Sequence, residues 1–221
     1  MHRRQFLGGS TALLLVTLGG CQGGLRYSLI EAIQRLLTLS SQRALASLMA
    51  PGGFYDSQVA RIALPDRLGG STTGSILGQF LAGAMRSRLT RQINRAAEKG
   101  AERAAPIIAD AILAVSPEDA AAILKGSGPA ATALLQRQMG SSLIQYMLPG
   151  VNEGLKLADS QVVTQALKLA TGIDFAGLRD DVTRKASNAI FAEMGKEEMA
   201  IRADPQSTND PVLIAALTAL K

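Results

Sequence analysis

The spacing of the apolar residues constrains the fold of this chain more than any other feature. From about residue 25 onward, apolar side chains recur every three or four residues, and alternating runs of β-branched residues are nearly absent. This spacing places apolar side chains on one face of an α-helix, whereas a half-buried strand requires strict alternation. The pattern therefore predicts an all-α fold, a single multi-helix, bundle-like domain over residues 21–221.

Start and stop signals predict where the helices begin and end. Ser116-Pro117-Glu118-Asp119 is the clearest start, because Ser caps a helix, Pro fits its first turn and acidic residues favour its positive end. Pro106 is expected to begin a new helix after one over 75–104, and Pro149 to follow the end of a helix over 129–147. Asp180 and Asp181 are expected to cap a helix, and 54–65 to be non-helical with a short extended run at 59–64. The remaining predicted helices cover 25–49, 117–125, 151–157, 161–171, 180–203 and 211–220.

The first 21 residues have the pattern of a cleaved bacterial export signal. A basic start is followed by the apolar run Thr11–Leu18, far shorter than the ~20 residues needed to span a bilayer. Leu18-Gly19-Gly20-Cys21 resembles a bacterial lipobox, which implies that residues 1–20 are removed and that Cys21 becomes an acylated N-terminus. Arg3-Arg4-Gln5-Phe6-Leu7 resembles a twin-arginine export motif, with general secretory export as the alternative.

Acylation of Cys21 would determine where the protein resides. Stable anchoring needs two acyl chains at about 0.8 kcal/mol for each buried CH₂, and the lipobox resemblance implies three chains. Gln22 is permissive for the outer membrane, where Asp would favour retention at the inner one. We therefore expect a lipoprotein tethered to the bacterial cell envelope and facing the periplasm, at the outer membrane in preference to the inner.

The charge and the aromatic content argue against nucleic acid as a partner. The formal net charge is +5, but removal of the leader takes Arg3 and Arg4 with it and leaves +3. Only 4% of the residues are aromatic, which is little for base stacking.

Several sequence blocks together resemble the bacterial family known as domain of unknown function 4197. The blocks are Gly53-Phe54, Ile62–Pro65, Ile93–Glu98, Ala105–Ile108, Pro117–Gly126, Ala130–Thr132, Val182–Ala186 and Glu197–Pro205. The chain departs from the family pattern at Gly52, where Asp is expected, and at Ala133-Leu134, where an aromatic pair is expected. The resemblance implies an exported, mostly helical protein and brings no activity with it.

The residue types of the mature chain exclude most familiar catalytic sites. It has no His and no free Cys, which removes Ser–His–Asp and Cys–His catalysis and any zinc site with His or Cys ligands. No nucleophile motif is found, and Ser75 stands where a phosphate-binding loop beginning at Gly69 needs Lys. We therefore expect a protein that is not an enzyme and that needs no cofactor or metal.

Carboxylates are the remaining catalytic candidates. Glu193 and Glu197 lie one helical turn apart, with Glu198 beside them. Two close acids shift each other's pKa or hold a hard cation, but a solvated helix face explains the spacing equally simply and is preferred here. A carboxylate-dependent hydrolase acting on an envelope substrate is the alternative function.

Basic residues form a stripe along the helix predicted over 75–104. Arg88, Arg91, Arg95, Lys99 and Arg103 follow one another at spacings of three or four, and so cover about a third of the helix circumference. The stripe is a candidate contact for lipid head groups or another envelope polyanion. A solvated face with ion pairs to Glu98 and Glu102 is the alternative, and Asn94 is expected to cap or brace a neighbouring helix end.

Small residues at Gly70, Gly74, Gly78 and Ala82 predict close helix packing, with an interfacial or partner-docking helix as the alternative. These patterns favour a non-enzymatic binding or interaction domain, with a lipid or protein partner. A lipid carrier would need a continuous apolar cavity of roughly 300–1,000 Å³.

Overall fold

The computed structural model describes residues 22–63, 76–156 and 175–219. In these ranges the chain forms helices and connecting turns and no strand, which confirms the all-α fold. The elements are α1 (Gln22–Met49), α2 (Gly53–Asp56), α3 (Ile76–Leu113), α4 (Pro117–Lys125), α5 (Ala130–Lys156), α6 (Phe175–Ala203), a 3₁₀ turn (Pro205–Thr208) and α7 (Pro211–Thr218).

The helices pack around one hydrophobic core. The largest interface joins α3 and α5, α6 packs on both α5 and α1, and α7 packs on α1. Apolar side chains from every long helix meet in this core, which includes Leu36, Leu48, Ile93, Ile108, Leu143, Val151, Ile190 and Met194. The predicted single helical domain is confirmed for the part of the chain described.

Glycines allow the closest approach between α3 and α5. A Cβ placed on Gly154 would lie 2.5 Å from Ala96 Cα, and one on Gly100 would lie 2.7 Å from Val151 Cγ2. Real Cβ atoms do not approach so closely, so the two helices can pack at this distance only because both positions are glycine. The close packing predicted for Gly70, Gly74, Gly78 and Ala82 is not tested. Gly70 and Gly74 lie outside the described residues, and the surroundings of Gly78 and Ala82 are not described.

Two proline predictions were wrong, because tertiary packing continues past each ring. Pro106 lies inside α3 and Pro149 lies inside α5. Each ring removes one backbone hydrogen bond, but both rings are on the exposed side, where water can reach the freed carbonyl. Buried residues such as Ile108 and Val151 follow directly on the opposite side, and their burial favours one long helix in each case.

The predicted start of α4 is confirmed in detail. Ser116 Oγ accepts a hydrogen bond from the Asp119 backbone N–H at 3.1 Å, and Pro117 occupies the first helical position. The end of α1 and the position of α7 also agree with prediction, while the helix predicted over 161–171 lies outside the described residues.

The stretch after α1 differs from prediction. Residues 53–56 form one helical turn, and 57–63 form an irregular segment with a turn at 58–60, where part of the extended run expected at 59–64 would lie. Asp180 and Asp181 lie within α6, where they pair with Arg179, Arg184 and Lys185 instead of capping it. In the ranges described, no helix combines the length and the apolar character required to cross a membrane.

Candidate functional site

The leader residues lie outside the described part of the chain. Cys21, Arg3, Arg4, Phe6 and Leu7 therefore stay predictions from sequence. Gln22, the residue after Cys21, is the first residue of α1, so a lipid on Cys21 would be joined to the helical domain without an intervening linker.

The five residues of the predicted basic stripe are all exposed along α3. They are Arg88, Arg91, Arg95, Lys99 and Arg103. Their orientation follows from the amphipathic character of α3, whose other side buries Ile93, Ala96 and Ala104 in the core. The sequence therefore placed these charges correctly on one solvent-facing surface.

Ion pairs neutralise only part of this stripe. Lys99 Nζ lies 2.8 Å from Glu102 Oε1, a contact that raises the pKa of Lys99, and Arg103 reaches Glu153 at 3.9 Å. Both pairs are about half-exposed, where such contacts contribute little. The positive surface therefore persists despite them.

Glu98, predicted to pair with the stripe, makes its hydrogen bond to the turn after α1 instead. Its side chain is buried, and Oε1 accepts a hydrogen bond from the Gly52 backbone N–H at 3.0 Å. Burial raises the pKa of Glu98, although the Gly52 hydrogen bond and the charge of Arg95 oppose that change. Glu98 thus fastens the turn after α1 to α3 and leaves Arg95 exposed.

The ring of Tyr55 brings a sixth cation, Arg61, next to the stripe. The Arg61 guanidinium carbon lies 4.2 Å from the centre of the Tyr55 ring, and that of Arg91 lies 5.8 Å from it. Both distances are within the range of cation–π attraction. Arg61 is 30 positions from Arg91, and only the packing of α2 on α3 brings them together. Sequence periodicity, which detected the stripe, has no signal for this neighbour.

Asn94 fixes the segment that carries Arg61. Its fully buried side chain accepts from the Ile62 N–H at 2.9 Å and donates to the Ile62 carbonyl at 2.8 Å. The amide also donates to the Thr90 carbonyl at 2.7 Å. Asn94 therefore braces an irregular segment, not a helix end. We call the exposed cations Arg61, Arg88, Arg91, Arg95, Lys99 and Arg103 the basic face.

The acidic residues of α6 do not form the solvated face that their spacing suggested. Glu193 and Glu198 are buried, whereas Glu197 is partly exposed, with an oxygen 3.9 Å from Arg43. Glu198 binds the first turn of α5 and Arg202, and Glu193 binds Lys196. Each of the three acids thus has a different partner, and within the described ranges no three carboxylates meet as a metal site would require.

Surface clefts of about 410, 340 and 280 Å³ open among the described residues, and each of these is lined by charged side chains as well as apolar ones. None is the continuous apolar cavity expected of a lipid carrier.

The chain belongs to the protein family of unknown function DUF4197, whose model matches residues 26–217. The resemblance noted in the sequence is therefore confirmed over most of the chain. No curated protein and no solved structure matches it.

Proposed function

We propose that this protein is an acylated envelope lipoprotein whose helical domain binds an anionic surface without catalysing a reaction. The basic face supports this proposal more than any other feature of the domain. Its six exposed cations come from two separate parts of the chain, and each basic residue close to an anionic membrane contributes about 1 kcal/mol.

The anchor and the basic face would act together. A lipid on Cys21 would hold the domain at the membrane, so that contact through the basic face becomes an intramolecular event at high effective concentration. Even partly screened attraction would then orient the domain on anionic head groups. A periplasm-facing location, at the outer membrane in preference to the inner, is part of this proposal.

Radiolabelled palmitate tests the anchor. The wild-type chain is expected to incorporate label and to sediment with the outer-membrane fraction, and Cys21→Ala is expected to do neither. Replacement of Arg3 and Arg4 by Lys tests the export route, because a twin-arginine route requires both and general secretion tolerates the change. Label in the Cys21→Ala chain, or an unprocessed chain in the cytosol, would contradict the proposal.

Vesicle flotation tests the surface contact separately from the anchor. The unlipidated Cys21→Ala chain is mixed with phosphatidylcholine vesicles, with or without phosphatidylglycerol. Changing Arg88, Arg91 and Arg95 together to Gln removes about 3 kcal/mol of attraction, and we expect about a 100-fold weaker binding to the anionic vesicles.

A second triple variant serves as the control for this change of charge. Arg35, Arg137 and Arg184 are exposed cations that lie on α1, α5 and α6 and do not belong to the basic face. Their replacement by Gln removes the same number of charges and is expected to weaken binding much less. An equal loss in both variants would show that net charge alone, and not the basic face, attracts the vesicles.

A further inference from the structure

A polar cleft adjoins the α2 turn, and none of the cations of the basic face lines it. It is formed by the end of α1, the α2 turn and α6, and has a volume of about 410 Å³. Its lining includes the polar side chains of Ser47, Asp56, Ser57, Glu193 and Lys196 and the backbone of Gly52 and Gly53. We call it the acidic cleft.

Glu193 in the acidic cleft has an unfilled hydrogen-bonding position. The residue is only 4% exposed, and its Oε1 lies 2.6 Å from Lys196 Nζ. Its Oε2 is buried and has no hydrogen-bond partner among the residues described. A buried carboxylate oxygen without a donor is unfavourable and uncommon in folded proteins. The donor that would complete the hydrogen bonding of Glu193 Oε2 is therefore not among the described residues.

The turn at Gly52 brings a second carboxylate to the same cleft. Gly52 has a φ of +85°, which favours glycine, and a Cβ there would lie 2.8 Å from Asp56 Oδ2. The absence of a side chain thus gives the Asp56 carboxylate its place beside the turn. With Glu193, Asp56 and Lys196 charged, the lining carries a net charge of −1.

The chemistry of the lining selects an organic cation. Two carboxylates line the cleft, and no group of three or more potential metal ligands is found in the described part of the chain. Lys196 shows that an ammonium group binds Glu193 at hydrogen-bonding distance. The Lys196 side chain is 57% exposed, so its tip can move into solvent. An ammonium group of a ligand that takes its place has three N–H donors and can donate to Oε2 as well as to Oε1. Ser47 and Ser57 add hydroxyl groups that pair with a hydroxylated ligand.

We infer that the acidic cleft binds a small primary ammonium compound that carries hydroxyl groups, with the ammonium on the Glu193 carboxylate. Asp56 adds a second negative charge near the ammonium, and the serine hydroxyls contact the remainder of the ligand. None of its lining residues belongs to the basic face, so binding here does not require the proposed contact with an anionic surface.

Titration of the full-length chain in non-ionic detergent tests the inference, with glucosamine as the amine probe and N-acetylglucosamine as its uncharged counterpart. Calorimetry gives the affinities, and the amide resonances of Gly52 and Gly53 report where the probe binds. Glucosamine is expected to shift both resonances, whereas N-acetylglucosamine is expected to bind at least about 10-fold more weakly.

Glu193→Gln is expected to weaken glucosamine binding by about 10-fold or more, because it removes the charge that pairs with the ammonium. Glu197→Gln is the matched control on the same helix and is expected to keep the wild-type affinity. If Glu193→Gln does not fold, as judged by circular dichroism, Asp56→Asn takes its place and is expected to weaken binding in the same direction.

Three results would overturn the inference. Equal affinity for the amine and its acetylated counterpart would remove the role of the ammonium group. Glucosamine binding that leaves the Gly52 and Gly53 resonances unchanged, or no binding at all, would remove the site. An equal affinity in the folded Glu193→Gln variant and the wild type would show that Glu193 is not the carboxylate that binds the ligand.

Discussion

Replacement of Glu198 by Ala should destabilise the domain more than any change at a neighbouring acid. Glu198 is fully buried on α6, yet its carboxylate serves the start of α5, where Pro129 precedes the helix and has no side-chain acceptor. The carboxylate accepts hydrogen bonds from the N–H groups of Ala131 at 3.1 Å and Thr132 at 2.7 Å, and from Thr132 Oγ1 at 2.8 Å. It therefore replaces a local helix cap with one supplied by a distant helix.

Arg202 makes the loss larger. Its guanidinium lies 2.8 Å from Glu198 Oε1, and its side chain is only 17% exposed. Removal of Glu198 would leave this cation and two backbone N–H groups without their acceptor. Each unsatisfied buried donor costs about 1–3 kcal/mol, and breaking a buried ion pair costs about 3–5 kcal/mol. These costs overlap, so we expect the free energy of unfolding to fall by about 3–5 kcal/mol for Glu198→Ala.

Urea denaturation followed by far-ultraviolet circular dichroism measures this change. The matched control is Glu197→Ala, since Glu197 is partly exposed and lies 3.9 Å from Arg43, a pair worth about 0–1 kcal/mol. In a double variant, Arg202→Met removes the unpaired cation and is expected to recover about 1–3 kcal/mol relative to the sum of the single changes. A loss below about 1 kcal/mol for Glu198→Ala, equal to that of the control, would refute the capping role.

Three further predictions concern packing, bracing and pH. Gly154→Ala is expected to lower the free energy of unfolding by about 1–3 kcal/mol, because its Cβ meets the backbone of α3, whereas Gly140→Ala meets no close neighbour and should raise it by up to about 1 kcal/mol; a loss from both in urea denaturation would contradict this. Asn94→Ala leaves the Ile62 backbone groups unpaired and is expected to cost about 2–4 kcal/mol and to speed amide exchange at Ile62, and slow exchange there would show that Asn94 does not brace the segment. The raised pKa of Glu98 means that the folded state holds its proton more tightly than the unfolded state, so its contribution to stability is present in acid and is lost as the pH rises through the folded pKa. Glu98→Gln should therefore match the wild type in acid and equal or exceed it at neutral pH, and a wild type that gains stability over Gln as the pH rises would contradict the prediction.

The sequence predicted the helical class because that class depends on local spacing. An apolar residue every three or four positions and a Ser-Pro-acid start act through neighbouring residues, so they specify α1, α4 and α7 before any tertiary contact is known. Proline signals failed at Pro106 and Pro149 for the opposite reason. The local loss of one hydrogen bond is small compared with the burial of the apolar side chains that precede and follow each proline in its helix.

The candidate sites also combine features that follow from local spacing with features that follow from tertiary packing. Periodicity placed Arg88, Arg91 and Arg95 on one exposed face, since the core side of α3 determines the solvent side. It could not place Arg61 beside them, because that proximity depends on the packing of α2 and on the Asn94 brace.

Burial is what only the tertiary structure decided. Glu193, Glu197 and Glu198 look alike in the sequence, and their spacing alone indicated one solvated face. In the fold, Glu198 caps a helix that begins 68 positions earlier at Ala130, Glu193 faces a cleft, and Glu197 stays near solvent. The chemistry of a carboxylate depends on its solvent exposure and on the donors around it, and both are determined by segments far away in the chain.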